Sequence, residues 1–389
     1  MANKKDTGLT KKGRFFDYSM LIIVLFLVAF GLVMVYSTSS YSALKKTGDA
    51  AYYFKRQCLA TVIGMLAFVV CIFWDYHHWY KLKWFIYFAS IVAILMILTP
   101  FGKEFNGARR WIGIGGMTFQ PAELAKVALI ISLAAFVSYS GPKMKKPANN
   151  IVFCLMALLE SLLIFVITNN LSSAIILMGI AYIMLMVANS KPGWLIGLTI
   201  LAAILVVIFL IWFFRTDPTA ENFRFKRLSA WRDPESYASN AGFQTLQSLY
   251  AIGSGGFFGK GLGQSIQKLG FIPEAQNDMV FSVICEELGL FGGICLIILF
   301  MLLIWRFMVI ANNAPDIFGS MLVVGVMAHI SIQVVFNIAV VTNVIPNTGI
   351  TLPFISYGGT SVLFLMAEMG IVLNVSRQIR VPVTVESNP

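Results

Sequence analysis

Long apolar runs alternate with short polar connections along almost the whole chain. Each run approaches the ~20 residues that an α-helix needs to cross a hydrocarbon core about 30 Å thick. Because backbone polar groups must be hydrogen-bonded internally in lipid, the runs predict membrane-spanning helices. Only residues 168–170 separate the fifth run from the sixth, which predicts a tight helical hairpin. The ten predicted spans are residues 18–37, 57–74, 84–100, 120–139, 151–168, 171–189, 193–214, 279–305, 317–341 and 356–375.

Composition supports a bilayer environment. Of 389 residues, 58% are hydrophobic and 12% are charged, whereas a soluble domain is about half apolar and a quarter charged. A soluble core of this size cannot bury that excess, so the sequence predicts an all-α integral membrane protein. The net charge is +11, and the positive residues are spread between the apolar runs. This distribution favours a role of the charges in membrane orientation and in contact with anionic lipid, rather than in nucleic-acid binding. The spacing of cysteine and histidine predicts neither a disulfide framework nor a metal cluster.

Ten spans place both termini on the same side of the membrane. With the N-terminus inside, lysine and arginine tie at 14 on each side. Loops longer than ~60 residues count little toward orientation, and leaving out residues 215–278 changes the balance to 14 inside against 7 outside. We therefore expect cytoplasmic N- and C-termini. The surplus of outside cations suggests a substrate that carries phosphate.

The chain is expected to be one transmembrane domain, residues 16–376, between two cytoplasmic tails. Residues 1–15 are polar and basic and predict a disordered tail, and residues 377–389 form the second tail. Residues 215–278 are the one large extracytoplasmic loop, between helices 7 and 8. The residues at the start of this loop predict an amphipathic helix at the membrane interface. One face of that helix is apolar, and two arginines lie on another face. The apolar face holds Phe223, Leu228 and Trp231, and the arginines are Arg224 and Arg227.

The second part of this loop is rich in glycine, but its spacing excludes a phosphate-binding P-loop. That motif needs glycine five residues before its Gly-Lys pair and Ser or Thr after the lysine. Around Gly259-Lys260 those positions hold Ser254 and Gly261. The glycines predict a flexible or tightly turned loop, and close backbone approach to a substrate is the alternative.

Carboxylates cluster where this loop enters the eighth span. Asp278 directly precedes the span at its outer end, where it is either a helix-capping carboxylate or a catalytic base. Glu286 and Glu287 lie further in. A carboxylate within a span costs about 2.5–3.5 kcal/mol, so such residues are usually partnered or functional. We expect these two to pair with cations or to face a cavity rather than to catalyse.

The fourth span and the loop before it carry further charges. Glu123 and Lys126 are three residues apart on one helix face, where they either form a structural ion pair or line a substrate cavity. Arg109 and Arg110 lie in the outside loop before this span. Paired guanidinium groups match phosphate oxygens in geometry, and anchoring to lipid headgroups is the alternative.

Proline and glycine are dense at residues 346–360, where the tenth span should begin. Non-helical backbone at membrane depth is tolerated only where it is buried or lines a cavity. The pattern therefore predicts a broken or re-entrant segment beside a cavity. Ser356 and Gly358 in this segment are candidate substrate-binding residues.

Several of these motifs resemble the SEDS family of bacterial cell-wall proteins. The resemblance extends in order over residues 15–376. Its first motif, which begins at Asn106, and residues 348–353 are more similar to the division and sporulation branch of the family (FtsW and SpoVE) than to the elongation branch (RodA). The motifs are Asn106-Gly107-Ala108-Arg109-Arg110-Trp111-Ile112, Phe119-Gln120-Pro121-Ala122-Glu123-Leu124-Ala125-Lys126, Pro273-Glu274 through Asp278, Glu286-Glu287-Leu288-Gly289 and Leu352-Pro353-Phe354-Ile355-Ser356-Tyr357-Gly358-Gly359.

The resemblance implies a peptidoglycan glycosyltransferase that polymerises lipid II outside the bacterial cytoplasmic membrane, in division or in sporulation. It also implies a class B penicillin-binding transpeptidase as partner, with other division proteins, and neither nucleic acid nor an organic cofactor. The chain departs from the family pattern at three places. The family usually has Ser at Ala122, often His at Gln276, and usually Pro-Asp-Leu-Gly at residues 169–172, where this chain has Asn-Asn-Leu-Ser. A role of that family aspartate therefore cannot be carried over.

One base and a set of cations would suffice for this reaction. A glycosidase commonly needs a second carboxylate to protonate a poor leaving group, but a diphosphate leaves unprotonated when its charge is neutralised. We expect Asp278 to take the proton from the acceptor 4-hydroxyl. Arg109 and Arg110 are expected to hold the diphosphate, with a divalent cation (Mg²⁺ or Mn²⁺) as an expected helper. Glu123 and Lys126 would shape the adjoining cavity, and a single displacement implies inversion at the anomeric carbon.

Two other functions also fit the sequence. A flippase that moves the lipid-linked precursor would use intramembrane charges and a broken helix, and a non-enzymatic scaffold would recruit division partners. A flippase needs charges along a path through the bilayer, whereas a polymerase needs a base at the outer face. Asp278 is at that face and favours the polymerase.

Overall fold

The computed structural model describes residues 11–105, 107–114, 117–189, 192–216, 223–239 and 242–383. Ten of its helices are long and apolar enough to cross a membrane, which confirms the predicted all-α multi-pass architecture. Two shorter helices, α8 and α9, lie between the seventh and eighth spans. In chain order the helices are α1 Tyr18–Thr47, α2 Tyr52–Phe73, α3 His77–Leu95, α4 Pro121–Ser140, α5 Pro147–Thr168, α6 Leu171–Ala188, α7 Gly193–Thr216, α8 Phe223–Arg232, α9 Phe243–Gly255, α10 Val280–Asn313, α11 Ile317–Val341 and α12 Gly359–Gln378.

Helix α1 continues ten residues beyond the predicted end of its apolar run. The extension is polar, but its hydroxyl groups bond within the helix. Thr38 donates from Oγ1 to the carbonyl of Met34 at 2.7 Å, and Ser39 donates from Oγ to the carbonyl of Val35 at 2.6 Å. A side chain that bonds back to the preceding turn needs no partner outside the helix. Hydropathy alone therefore underestimates the length of this helix.

The predicted tight hairpin between the fifth and sixth spans is confirmed. Asn169 ends α5 in the left-handed conformation, with φ +50°, which asparagine tolerates better than most residues. Asn170 caps α6, because its side-chain oxygen accepts from the backbone N–H of Ser173 at 3.0 Å. Asparagine and aspartate are comparable N-caps. The departure from the family pattern at Asn170 therefore preserves the local fold.

Helices α4, α11 and α12 form the centre of the bundle. The share of the apolar window that is buried is 72% in α4, 61% in α11 and 67% in α12. In α7 that share is 6%, so this span stands at the edge of the bundle with most of its surface toward lipid. Polar side chains on α4 and α11 are therefore inside the protein.

Two small antiparallel sheets, which the sequence did not predict, lie at the ends of the bundle. The strands β2, β3 and β4 connect α3 to α4 in that order, with Ile112 opposite both Gly102 and Phe119. The strands β1 and β5 pair the two expected tails with each other, outside the predicted domain 16–376. Residues 1–10 and 384–389 of those tails lie outside the described residues. The strands are β1 Lys11–Arg14, β2 Gly102–Phe105, β3 Ala108–Ile114, β4 Met117–Phe119 and β5 Arg380–Val383.

The glycine-rich loop folds tightly onto the first turns of α10. Lys260 donates its backbone N–H to the carbonyl of Glu286 at 3.0 Å, and Gly261 donates to that of Glu287 at 2.9 Å. A Cβ on Gly259 would lie 2.2 Å from the Glu287 carbonyl oxygen, closer than any side chain permits. Gly289 interrupts α10 at this contact with φ +71°. The glycines thus allow close backbone contact with α10, which agrees with the prediction of a tightly turned loop.

Both intramembrane carboxylates of α10 pair with lysines of this loop. Lys260 Nζ lies 2.8 Å from Glu286 Oε1, and Lys268 Nζ lies 2.7 Å from Glu287 Oε1. Ser37 of α1 donates to the same oxygen of Glu287 at 2.7 Å. These contacts confirm the predicted pairing with cations. They fix the loop that leads into Asp278.

Replacing Glu287 with alanine is expected to destabilise the fold by about 3–5 kcal/mol, because Lys268 would stay buried without its counter-charge. The Lys268 side chain is only 6% exposed. The check is the thermal unfolding midpoint of the purified protein in detergent. Asp49→Ala is the matched control, since it breaks an exposed ion pair with Lys55 and should leave the midpoint unchanged. Equal midpoints for both variants would contradict the expectation.

Candidate active site

Asp278 lies in the turn before α10, where α9, α11 and the segment 342–358 meet. Gln244 of α9 donates from Nε2 to Asp278 Oδ1 at 3.2 Å. Asn337 of α11 donates from Nδ2 to the Asp278 main-chain oxygen and to the Ile350 main-chain oxygen, each at 2.7 Å. Gly349 adjoins the carboxylate, since a Cβ there would be 3.9 Å from Oδ2. Three segments distant in sequence thus contact this half-buried residue.

The capping interpretation of Asp278 is wrong. Helix α10 is capped at Met279 without any side-chain hydrogen bond, and its first turn holds no acidic residue. The carboxylate instead accepts from the side chain of Gln244. Its position is therefore explained by neighbouring elements and not by the helix that it precedes.

The surroundings of Asp278 raise the pKa of its carboxyl group toward neutral pH. The pKa of its carboxyl group is raised to about 6, chiefly by burial and also by the charge of Glu274. The Arg227 charge and the Gln244 hydrogen bond act in the opposite direction on the same pKa. A general base is most effective when its pKa lies near the operating pH. Asp278 is therefore suited to accept a proton, and its environment supports the catalytic interpretation.

Arg227 is a site residue that the sequence reasoning missed. The predicted helix exists as α8, and the Arg227 charge acts directly on the Asp278 carboxylate. Its guanidinium donates from Nη1 to the Asn347 main-chain oxygen at 3.2 Å, and Trp231 donates from Nε1 to that of Asn343 at 3.0 Å. These bonds attach α8 to the segment 342–358. The surplus of cations on the expected outer side was the sequence signal for a cationic site. That surplus did not indicate which arginine faces the site. The side chain of Arg224 lies outside the described residues.

The two adjacent arginines of β3 bind different parts of the chain. Arg109 is exposed and donates to the main-chain oxygens of Thr99 and Gly102, at 2.6 and 3.3 Å. Arg110 donates to the carbonyls of Thr168 and Asn169 at the end of α5, at 3.1 and 3.0 Å. Successive side chains of a strand point to opposite faces, so the two guanidinium groups do not act as one pair.

Arg110 is the β3 arginine that lies close to Arg227. Burial lowers the pKa of Arg110, and the like charge of Arg227 lowers it further. Like charges near each other repel, and an anion between the two guanidinium groups would relieve the repulsion. Arg110 and Arg227 are therefore candidates to hold an anion together, and the expected role of Arg109 stays a prediction.

Glu123 and Lys126 form an ion pair of 2.8 Å inside the bundle, with both side chains buried. Nearby, His329 of α11 bonds through Nδ1 to Glu368 of α12 at 2.9 Å. His329 is eight residues before Asn337 on α11, or about 12 Å along the helix. The pair thus lies deeper than Asp278, and its expected role in shaping a substrate cavity stays a prediction.

The segment 342–358 is non-helical between α11 and α12, as its proline and glycine content predicts. Ser356 accepts through Oγ from the backbone N–H of Leu352 at 2.8 Å, and is buried. Gly358 donates its backbone N–H to Gln57 Oε1 at 3.2 Å. Both residues hold the shape of the segment that adjoins Asp278. Direct substrate binding by either stays a prediction.

The sequence of nearly the whole domain matches a known family model. This model, described as a cell cycle protein family of FtsW, RodA and SpoVE, matches residues 18–381. The chain belongs to this family. The match covers all ten spans, β2 to β4 and the loop that leads to Asp278, and it confirms the resemblance found in the motifs.

Relatives in the FtsW, RodA and SpoVE family match over nearly their full length. Stage V sporulation protein E of Bacillus subtilis strain 168 is 38% identical, over 94% of this chain and 98% of the relative. The probable peptidoglycan glycosyltransferase FtsW of Geobacter sp. strain M18 is 35% identical over the same shares. These identities agree with the predicted similarity to the FtsW and SpoVE branch.

Solved structures of the family share the fold. A chain from a peptidoglycan synthase complex, solved for the structural coordination of polymerization and crosslinking, has a TM-score of 0.77 and 27% identity, over 94% of this chain and 98% of that chain. The rod shape determining protein RodA of Thermus thermophilus has a TM-score of 0.67 and 26% identity, over 94% and 97%.

Proposed function

We propose that this protein is a peptidoglycan glycosyltransferase, which polymerises lipid II during division or sporulation. The observation that carries the proposal is the half-buried Asp278, whose pKa is raised to about 6, within the electrostatic reach of Arg227. Asp278 follows seven spans, and therefore lies on the side of the membrane opposite the N-terminus. FtsW relatives named as glycosyltransferases support the reaction class.

In the proposed reaction, the 4-hydroxyl of one lipid-linked sugar attacks the anomeric carbon of another. Asp278 takes the hydroxyl proton as the new C–O bond forms, and the bond from the anomeric carbon to the diphosphate breaks. Arg110 and Arg227 neutralise the departing undecaprenyl diphosphate, so that no acid is needed to protonate it. A single displacement of this kind inverts the anomeric carbon.

We propose that a divalent cation, Mg²⁺ or Mn²⁺, enters this site with the diphosphate. Mg²⁺ usually takes one or two carboxylates together with phosphate oxygens. Within the described ranges, no three side chains of His, Cys, Asp or Glu are grouped to hold an ion without such a ligand. The charge of Glu274 acts on Asp278, so the two carboxylates are near each other. Because Asp278 must be free to accept the proton, Glu274 is the carboxylate that would hold the cation together with the phosphate oxygens. When bound, it would neutralise charge on the leaving group.

We further propose that the protein lies in the bacterial cytoplasmic membrane with both termini in the cytoplasm. The excess of Lys and Arg in the short loops on the side of the termini supports this orientation. A class B penicillin-binding transpeptidase is the proposed partner, together with other division proteins. The structural neighbour from a complex that coordinates polymerization and crosslinking supports a crosslinking partner.

The test of the proposed function is polymerisation of labelled lipid II by the purified protein, alone and with its transpeptidase. Blocking the transpeptidase with a β-lactam keeps crosslinking out of the product. Glycan chains that lengthen with time are the expected result. If the pair makes no polymer but moves lipid II across liposome bilayers, the polymerase is refuted and the flippase takes its place. If it does neither and still binds the transpeptidase, the protein is a scaffold.

The pH dependence of polymerisation should report the ionisation of Asp278. Its carboxylate must be ionised to accept a proton, so kcat/KM is expected to fall about tenfold for each pH unit below about 6. Above about pH 7 the carboxylate is ionised and this limb should be flat. Initial rates between pH 4.5 and 8 measure the profile. A limb centred near pH 4, the ordinary value for an aspartate, would contradict the environment described for this side chain.

A further inference from the structure

A cavity of about 750 Å³ opens between α5 and α7, far from Asp278, on the side of the membrane that carries both termini. Ile151, Leu155 and Leu158 line one wall, and they recur along one stripe of α5. Trp194 lines the cavity from the first turn of α7. The volume is typical of a small-molecule site, and the lining is mainly apolar.

Helix α7, which bounds one side of this cavity, is buried mainly near its two ends. Leu195 and Phe213, near the two ends of α7, are only 2% and 1% exposed, whereas most large apolar side chains between them are exposed. Tyr182 of α6 shares a hydrogen bond of 2.5 Å with Thr199 of α7. The apolar stripe of α5 faces the resulting groove, with Leu155 at 55% exposure. A groove of this kind inside a bilayer is filled by an acyl chain.

The mouth of the cavity is positively charged. Lys145 lines it, and Lys143 and Lys146 are exposed on the same connection. Among the described residues, none of these three lysines takes part in an ion pair. Helices α5 and α7 both begin at this mouth, where Pro147 and Trp194 line it. Helix N-termini carry partial positive charge and unsatisfied N–H groups, which favour an anion.

Two buried amides complete the polar end of the cavity. Asn150 and Asn189 line it and are 6% and 9% exposed. Their amide groups reach each other only at 3.5 Å, the outer limit of a hydrogen bond. Asn189 also donates from Nδ2 to the Leu185 main-chain oxygen at 3.0 Å, so Asn150 is the amide that keeps a donor for a ligand at the mouth. Cationic lysines, helix N-termini and this amide donor at one end of an apolar groove match a phosphate that carries an acyl chain.

We propose that this cavity binds one anionic phospholipid from the leaflet on the side of the termini. Its phosphate would lie at Lys145 and Asn150, and an acyl chain would follow the stripe of α5 beneath α7. Basic pockets between transmembrane helices on the cytoplasmic side commonly bind anionic headgroups. This site is separate from Asp278 and does not depend on the proposed reaction.

The test is native mass spectrometry of the full chain, released from nanodiscs of equimolar phosphatidylglycerol and phosphatidylethanolamine. The wild type is expected to retain one phosphatidylglycerol in preference to the zwitterionic lipid. In Lys145→Gln/Lys146→Gln that preference should fall by about fivefold for each lysine. Lys45→Gln/Lys46→Gln is the matched control, because it removes two adjacent exposed lysines at the opposite end of the bundle. It should retain the preference.

A second pair of variants tests the groove itself. Leu155→Trp should fill the groove and displace the bound lipid, whereas Leu44→Trp should not. Leu44 lies near the end of α1, is 56% exposed and does not line the cavity. The proposal is overturned if the wild type shows no preference for phosphatidylglycerol. It is also overturned if both lysine pairs lower retention equally, or if Leu155→Trp retains the lipid as the wild type does.

Discussion

Asp278→Asn is expected to lower the rate of lipid II polymerisation by about 10²–10⁴-fold, the usual contribution of a general base. Asparagine has the same shape but cannot take the proton from the acceptor hydroxyl. Its side-chain oxygen can still accept from Gln244, which now bonds to Asp278 Oδ1 at 3.2 Å. The fold should therefore persist while the chemistry is lost. Initial rates of glycan formation with the transpeptidase present provide the measurement.

The matched control for Asp278→Asn is Asp233→Asn. Asp233 is an exposed carboxylate in the same connection between α7 and α10, and it bonds to Ser236. Its replacement should leave the rate unchanged. Asp278→Glu keeps the charge but displaces it by one methylene, and should recover part of the activity. Wild-type rates from Asp278→Asn, at equal unfolding midpoints, would show that another group is the base.

Arg227→Gln is expected to lower the rate by about 10²-fold, because it removes one of two cations proposed to neutralise the leaving diphosphate. Loss of one preorganised donor to developing negative charge typically costs 10²–10³-fold. The variant should also move the acid limb of the pH profile to higher pH. Arg227 lowers the pKa of Asp278, so removing its charge lets that pKa rise. A purely structural arginine would not produce this shift.

The matched control for Arg227→Gln is Arg232→Gln on the same helix. Arg232 is exposed and donates to the Phe214 main-chain oxygen at 3.4 Å. Its replacement should change neither the rate nor the pH profile. Arg227→Lys keeps the charge without the planar fork of donors, and should lie between wild type and Arg227→Gln. If Arg227→Gln polymerises at the wild-type rate, Arg110 alone neutralises the leaving group.

The arrangement of charges also bears on the flippase alternative. The buried Glu160 accepts from Ser90 without a cation, whereas Glu123 and Glu287 are paired with Lys126 and Lys268 inside the protein. Such pairs stabilise helix and loop contacts, which a single static arrangement explains. Asp278 differs from them, because Gln244 bonds to its carboxylate without neutralising its charge. A carboxylate with a raised pKa at the end of the bundle opposite the termini suits proton transfer there.

Much of this protein was predictable because the signals are local. Ten apolar runs are enough to predict ten spans, since the cost of exposing backbone in lipid leaves helices as the solution. Asn169 and Asn170 predict a hairpin because few residues lie between two spans. The density of proline and glycine after α11 predicts a non-helical segment because proline cannot donate to a helix. In each case a few consecutive residues contain the whole argument.

Errors arose where the decisive contact leaves no signal in hydropathy, or where the decisive partner is distant in sequence. Hydropathy ends α1 at residue 37, yet hydroxyl bonds to the preceding turn carry the helix to Thr47. Arg109 and Arg110 are adjacent in sequence, but the alternation of a strand directs them to different partners. Arg227 was assigned to a membrane interface because its contacts with Asn347 and Asp278 lie 120 and 51 positions away.

The sequence by itself determined the environment, the number of spans and the family, because hydrophobicity and motif order are properties of consecutive residues. Only the tertiary structure decided which charges meet. Asp278 becomes a candidate base because Gln244, Asn337 and Arg227, on three different helices, converge on it and bury it. Burial and Coulomb interactions depend on distance in space. No pattern along the chain specifies them until the helices have packed.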